Sequence, residues 1–268
     1  MKIKNLNNDE YILTDFFEYI KNEKDETFDL VIADPPYFKI KGDFDFKFKD
    51  VNEYLEFCRK WLNECKRVLK PNGTLILWGS VGEKQITFAR LAIMIEDENI
   101  FYRRNWVTQA NTRGIGTKTN YMSAREDFLF LVKNEKEFTF NIPYKEEKSL
   151  RKDLGKNGKP RKNEFKRVSN VWSDIAEASQ SAIERSSHPT IKALKICDRL
   201  IETHSNEGDR ILIPFGGSGS EFISAINLNR NVIATEIDEK YFKDAQNKIF
   251  KFINDRFNLS DNKKMFLK

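Results

Sequence analysis

The sequence predicts an α/β fold organised around a parallel β-sheet, and two stretches carry that prediction. In the first, Phe28-Asp29-Leu30-Val31-Ile32-Ala33 is a short apolar run that stops at Asp34-Pro35-Pro36-Tyr37, the pattern of a buried strand ended by prolines. Tyr54, Leu55, Cys58, Trp61, Leu62, Cys65, Val68 and Leu69 then recur at three- and four-residue spacing, as on one face of a helix. Pro71-Asn72-Gly73 breaks the helix and Thr74-Leu75-Ile76-Leu77-Trp78 reads as the next strand. Strand, helix, turn and strand in that order make a crossover unit between parallel neighbours. In the second stretch, the strand Arg210-Ile211-Leu212-Ile213 runs into Pro214-Phe215-Gly216-Gly217-Ser218-Gly219-Ser220, a helix follows, and a further strand, Val232-Ile233-Ala234-Thr235, ends at Glu236.

The elements between and around these units follow from the same reading. An apolar helix is expected from about Glu83 to Ile95, then a strand near Phe101 to Thr108. Residues 110–124 are polar and contain Gly114 and Gly116, which predicts a mobile loop, and Phe128-Leu129-Phe130-Leu131-Val132 predicts another strand. Residues 134–187 are polar and basic with little periodicity and are expected to form an insert or small subdomain. Ile191, Leu194, Cys197, Leu200 and Ile201 restore a helical face, and a last helix is expected from Glu239 with Tyr241, Phe242, Ala245, Ile249 and Phe252 inward. The resulting division is 1–133 and 188–258 as two halves of one domain, 134–187 as the insert, and 259–268 as a polar tail.

Composition narrows the function classes. The 268 residues are 40% hydrophobic, enough for a sizeable core, yet no apolar run of about 18 residues occurs, so no membrane-spanning helix is expected. The start, Met1-Lys2-Ile3-Lys4-Asn5-Leu6, has no apolar signal stretch, and Cys58, Cys65 and Cys197 form no C-x-x-C pair. They read as reduced core residues of a cytoplasmic protein, and with two histidines no zinc site is expected. The net charge is only +5, but positive charge concentrates between Lys145 and Arg167, where Lys156, Lys159, Arg161 and Lys162 lie near Gly155, Gly158 and Pro160. Taken alone, that stretch reads equally as a solvated loop or as a nucleic-acid contact.

The loop Phe215-Gly216-Gly217-Ser218-Gly219 lies between a strand and a helix, where glycines allow tight turns and close approach of the backbone to a ligand. No lysine follows Gly219, so this is not a polyphosphate-cradling loop. Glu236, seventeen positions after Gly219, can accept hydrogen bonds from both hydroxyls of a ribose. A strand–helix turn of any doubly wound protein would share the glycines; the acid adds weight to a nucleoside cofactor without phosphates, such as S-adenosylmethionine.

Asp34-Pro35-Pro36-Tyr37 would serve as a turn in any fold, but its chemistry suggests more. The exocyclic amine of adenine is a poor nucleophile because its lone pair is delocalised into the ring. Two acceptors, the Asp34 carboxylate and the Pro35 carbonyl, would draw its N–H groups toward a tetrahedral arrangement. Pro36 restricts residue 35 to an extended conformation and brings no competing N–H. Tyr37 offers a face for a base swung out of a duplex, a contact worth about 1–3 kcal/mol. Methyl transfer to carbon 5 of cytosine would instead need a cysteine nucleophile, and none of the three lies in a suitable loop.

Taken together, these motifs resemble the β-class amino-methyltransferases of DNA from restriction–modification systems and phages, in which D-P-P-Y precedes F-x-G-x-G with the recognition region between them. His188-Pro189-Thr190-Ile191-Lys192 is similar to that family's H-P-T-Q-K, Thr14-Asp15 to its short G-D element, and Leu69-Lys70-Pro71-Asn72-Gly73 to its turn after the helix that follows the catalytic motif. The resemblance implies a Rossmann-like, seven-stranded, mostly parallel sheet with helices on both faces, and S-adenosylmethionine as cofactor. The implied catalytic residues are Asp34, Pro35, Pro36 and Tyr37. The implied cofactor contacts are Asp15, Asp34, His188, Thr190, Phe215, Gly216, Gly217, Ser218, Gly219 and Glu236. DNA, expected to be double-stranded, would meet Arg113, Lys118, Lys156, Lys159, Arg161 and Lys162. A homodimer and a cognate restriction endonuclease are further partners the resemblance implies. Ile213 stands where the family carries an acid that contacts the methionine end, and Gln109-Ala110-Asn111 where it carries W-x-K. Asp34 favours adenine N6 as the target, since the cytosine-N4 enzymes more often carry serine there. Cytosine N4, an RNA amine, and binding without catalysis are the alternatives.

Overall fold

Alternating apolar residues decide the layering of this chain, whose computed structural model describes residues 2–4, 9–39, 47–80, 84–148, 164–176, 178 and 191–257. Strand β1 (Lys2–Lys4) lies antiparallel to β2 (Glu10–Leu13), and the short helix α1 (Phe16–Ile20) follows. Strand β3 (Phe28–Ala33) leads through the Asp34–Tyr37 loop toward helix α2 (Val51–Val68) and strand β4 (Leu69–Gly79). After a 3-10 turn (Lys84–Ile86) come helix α3 (Thr87–Asp97) and the strands β5 (Tyr102–Thr117) and β6 (Asn120–Val132). Three short strands follow, β7 (Tyr144–Lys148), β8 (Phe165–Arg167) and β9 (Val171–Trp172). Helix α4 (Leu194–His204), strand β10 (Arg210–Ile213), helix α5 (Ser220–Asn227), strand β11 (Asn231–Glu236) and helix α6 (Glu239–Phe257) complete the chain order.

The main sheet runs β1-β2-β11-β10-β3-β4-β6-β5-β9, with parallel pairing from β2 across to β4 and antiparallel pairing of β6 with both β4 and β5. The seven expected strands are its body; β1 and β9 extend the two edges by three and two residues. Both faces are covered, so the central strands are apolar on both sides. Leu30, Ile32, Ile76, Trp78, Ile211, Ile213, Val232 and Ala234 meet α4, α5 and α6 on one face. Val31, Ala33, Leu75, Leu77, Leu212 and Ile233 meet α1, α2 and α3 on the other. All three cysteines are buried free thiols, as expected of core residues.

Helix α2 shows how local chemistry sets these elements. Asp50 caps it, accepting from Asn52 N at 2.9 Å and Glu53 N at 3.0 Å, while Glu53 reaches back to Lys49 N at 2.7 Å. Tyr54, Cys58, Trp61, Leu62, Cys65 and Val68 form its buried stripe. The expected break at Pro71-Asn72-Gly73 is a bulge within β4 rather than a turn before it. Leu69 pairs with Phe28 and Thr74 with Leu30, so the residues between them loop out of register.

The hairpin beyond β5 departs from expectation further. Residues 110–124 are not a loop but the outer half of the β5–β6 hairpin, with Ala110 opposite Arg125, Ile115 opposite Ser123 and Thr117 opposite Asn120. The glycines there make room for a crossing side chain. A Cβ on Gly114 would lie 2.9 Å from Met122 Cε, and one on Gly116 would lie 2.7 Å from Met122 Cγ. The stretch 134–187 contributes β9 to the main sheet beside β5 and buries Trp172 and Ile175 in the core. Asn141 ties its start to the end of α4, with Nδ2 donating to Glu202 O at 2.9 Å and Ser205 O at 3.0 Å.

Candidate active site

Strands β3 and β10 are parallel neighbours whose onward connections leave in opposite directions, toward β4 and toward β11. In such sheets the crevice at the carboxyl ends of the two strands is where ligands bind. The Asp34–Tyr37 loop follows β3, the glycine loop follows β10, and both line one cavity of about 270 Å³.

On the β3 side, each oxygen of the Asp34 carboxylate has its own partner. The Tyr37 hydroxyl donates to Oδ1 at 2.5 Å, and Lys192 Nζ meets Oδ2 at 3.0 Å. Lys192 is only 4% exposed; it also donates to Glu126 Oε2 at 2.9 Å and lies 4.6 Å over the Trp78 ring. Burial works against the charge on Lys192, but Asp34 and Glu126 outweigh it and hold the ammonium protonated well above the usual lysine range. Burial, and after it the Asp34 carboxylate, raises the Tyr37 phenol as well, so Tyr37 stays a donor.

On the β10 side, the loop is shaped by its backbone. Gly217 and Gly219 have φ of 49° and 73°, a region that disfavours side chains. Gly219 N donates to Gly216 O at 2.9 Å and Gly216 N to Thr235 O at 2.7 Å, which ties the loop to β11. A Cβ on Gly216 would meet the Tyr11 hydroxyl at 2.6 Å, and that hydroxyl donates to Gly217 O at 3.0 Å. Glu236 is held by backbone donors, Gly217 N to Oε2 and Asp238 N to Oε1, both at 2.8 Å. Burial raises the Glu236 pKa, and the backbone donors of Asp238, Gly217 and Ile237 only partly oppose it.

The cavity collects most of the residues expected from sequence. Asp15, Asp34, Pro35, Pro36, Tyr37, Phe215, Gly216, Gly217, Ser218 and Glu236 all line it. Asp15 also caps α1, accepting from Phe17 N at 2.7 Å. Gly219 does not line the cavity; its positive φ turns the chain into α5. His188, Thr190, Lys156, Lys159, Arg161 and Lys162 fall outside the described residues, and of Arg113 only the backbone is described. Lys118 is exposed in the turn of the β5–β6 hairpin, away from the cavity lining. Ile213 is a core residue, 2% exposed, and Gln109 is buried with Nε2 donating to Ala110 O and Ile175 O, each at 2.8 Å.

The lining also holds residues that were not among the sequence candidates, Lys192 and Glu221 among them. Lys192 closes the H-P-T-I-K motif, and Glu221 is an acid in the otherwise apolar run Phe222-Ile223-Ser224-Ala225-Ile226 of α5. Either anomaly was visible as a charge in an apolar setting.

The lining tests the expected cofactor. Among the described residues, five carboxylate side chains, Asp15, Asp34, Glu221, Glu236 and Asp238, face the cavity against the two ammonium groups of Lys47 and Lys192. Such a wall repels a polyphosphate and suits a nucleoside with a cationic end. Aromatic and aliphatic side chains, among them Phe16, Phe17, Ile237 and Tyr241, supply apolar surface for a purine. S-adenosylmethionine has both properties, and the residues present fit it.

The model of the DNA methylase family (N6_N4_Mtase) matches residues 28–247. The chain belongs to that family. Among the methylase's curated relatives, the type II methyltransferase M.HpaI of Haemophilus parainfluenzae is 34% identical over 245 residues, covering 89% of this chain and 73% of the relative. The DNA adenine methyltransferase YhdJ of Escherichia coli is 31% identical, covering 81% and 74%. Among solved structures, the complex of M1.HpyAVI with S-adenosylmethionine superposes with a TM-score of 0.62 at 27% identity, covering 89% of this chain and 98% of that one. The cytosine-N4-specific PvuII DNA methyltransferase shares the fold at a TM-score of 0.68 and 17% identity, covering 92% of each chain. This methylase therefore has the Rossmann-like fold and uses S-adenosylmethionine as methyl donor.

Proposed function

We propose that this methylase transfers a methyl group from S-adenosylmethionine to N6 of adenine at specific sites in double-stranded DNA. The observation that carries the reading is the Asp34 carboxylate, lining the cofactor cavity with Tyr37 on one oxygen and Lys192 on the other. Both partners fix its orientation, and each oxygen keeps a lone pair for an amine N–H. Asp34 and the Pro35 carbonyl then take one N–H each and free the amine lone pair. When bound, the cofactor supplies the methyl group on a sulfonium, whose sulfur departs as a neutral thioether. Asp34 also stands ready to take the proton the methylated amine sheds. In-line positioning of amine and methyl provides most of the acceleration in a displacement of this kind.

Cofactor contacts are assigned to Asp15, Phe215 to Ser218 and Glu236, with Glu236 receiving the ribose hydroxyls. Gly219 shapes the loop, and His188 and Thr190 are assigned by their motif. Residues 134–187 are read as the target-recognition insert, with Lys156, Lys159, Arg161 and Lys162 on phosphates. Arg113 and Lys118 belong to the β5–β6 hairpin, whose base reaches the active site through Glu126 and Lys192. That geometry suits a ribbon laid along a DNA groove. A homodimer and a partner endonuclease complete the expected restriction–modification setting.

Methyl transfer from labelled S-adenosylmethionine to unmethylated genomic DNA, followed by nucleoside mass spectrometry, tests this reading. N6-methyladenine is the expected product. N4-methylcytosine would replace the target base, and absence of label in DNA would overturn the assignment. Replacing Lys159, Arg161 and Lys162 together should weaken DNA binding and flatten its salt dependence; an unchanged salt slope would remove that stretch from the phosphate interface.

A further inference from the structure

Glu221 stands in the first turn of α5, directly behind the glycine loop, and lines the cofactor cavity while being 6% exposed. Among the described residues its carboxylate takes no ion pair and no side-chain hydrogen bond; its only hydrogen-bonding partner is its own backbone N–H. The cations nearby are engaged elsewhere. Lys192 is shared by Asp34 and Glu126, and Lys248 Nζ donates to Ser220 Oγ at 3.0 Å and Ser218 O at 3.3 Å. A buried carboxylate without a contacting counter-ion is unfavourable unless it is neutralised or meets a cation.

Glu236, at the end of β11, is the acid placed to receive a ribose, and Asp34 is the acid placed to receive the target amine. The glycine loop lies between them in the sheet order, and Glu221 sits beneath that loop on the helix it introduces. Of the cofactor's parts, the one left for this position is its cationic methionine portion, which carries the α-ammonium and the sulfonium. We propose that Glu221 is a binding residue for the cationic methionine portion of S-adenosylmethionine and supplies the acid that this chain lacks at Ile213. Burial, and after it the neighbouring Asp34, raises the Glu221 pKa in the absence of a ligand. A cation brought against the carboxylate reverses that penalty, so Glu221 discriminates for a charged cofactor over neutral nucleosides.

The inference rests on the reading of this cavity as the cofactor site, and one comparison separates the two. Calorimetry on the full chain and on Glu221→Gln would use S-adenosylmethionine, S-adenosylhomocysteine and 5′-methylthioadenosine, which keeps the adenosine and sulfur but has neither positive charge. Glu221→Gln should weaken S-adenosylmethionine by about 10- to 100-fold and leave 5′-methylthioadenosine unchanged. The unchanged ligand also shows that the variant is folded and its nucleoside pocket intact. An equal loss for S-adenosylhomocysteine places Glu221 at the α-ammonium, and a loss confined to S-adenosylmethionine places it at the sulfonium. Equal effects on all three ligands, or no effect on any, would overturn the role of Glu221. Failure of the unaltered chain to bind any of the three would overturn the cavity assignment itself.

Discussion

Two carboxylates flank β10 from opposite sides, and the fold holds them in opposite ways. Asp34, after β3, is positioned by side chains, the Tyr37 hydroxyl and the Lys192 ammonium. Glu236, at the end of β11, is positioned by main-chain N–H groups of Gly217 and Asp238. A carboxylate tied to mobile protons and a cation can exchange them during a reaction. One tied to backbone dipoles is a fixed acceptor, suited to holding a ligand that must not react there. The two sides of the cavity thus separate chemistry from grip, and single substitutions can test that separation.

The largest effect is expected at Asp34. Asp34→Ala should lower the rate of methyl transfer by about 10²–10⁴-fold while changing cofactor affinity little, measured by single-turnover transfer beside calorimetry. Comparable losses in both readouts would erase the distinction between the two sides. Lys192→Met should come next, with a rate lowered by about 10- to 100-fold and cofactor affinity largely kept. The loss follows from leaving Asp34 and Glu126 without their shared cation. A loss of cofactor affinity as large as the loss of rate would mark Lys192 as merely structural.

Glu236 supplies the complementary test. Its pKa is raised by burial, so protonation begins above the usual carboxylate range as pH falls. Binding of 5′-methylthioadenosine, which carries no charge of its own, should therefore weaken as the solution is made mildly acidic. Glu236→Gln should bind more weakly at neutral pH and lose that pH dependence. A pH-dependent Glu236→Gln would show that another group controls it. The smallest effect is expected from Tyr11→Phe, which removes the hydroxyl bond to Gly217 O. Such a bond contributes about 0.5–1.5 kcal/mol, read as a small shift in the urea midpoint with transfer kinetics nearly unchanged.

The parts of this site that were legible in the sequence are those written locally. A strand ending in Asp34-Pro35-Pro36-Tyr37 and a strand ending before Phe215-Gly216-Gly217 each carry their meaning within a few residues. Burial on both faces made the central strands read as continuous apolar runs. Lys192 was invisible as a partner of Asp34 because nothing in either neighbourhood names the other; only the pairing of β3 with β10 and the packing of α4 bring them together. The outer β5–β6 hairpin is illegible in sequence for a related reason. Tyr121 and Met122 are largely exposed at its end, and a ribbon with little burial on either face has no apolar alternation to announce it. Its glycines carry a loop signal in sequence, whereas in the fold they make room for Met122.

The three cysteines extend this division between the two faces of the sheet into time. Cys58 and Cys65 are buried on α2, which packs on one face, and Cys197 is buried on α4, which packs on the other. Burial also raises the thiol pKa of Cys65 and Cys197, so a labelling reagent meets almost no thiolate until the chain opens. The protein thus carries its own pair of clocks, one beneath each layer of helices. Their labelling rates would tell whether the two layers open together or whether the layer that carries the glycine loop opens first.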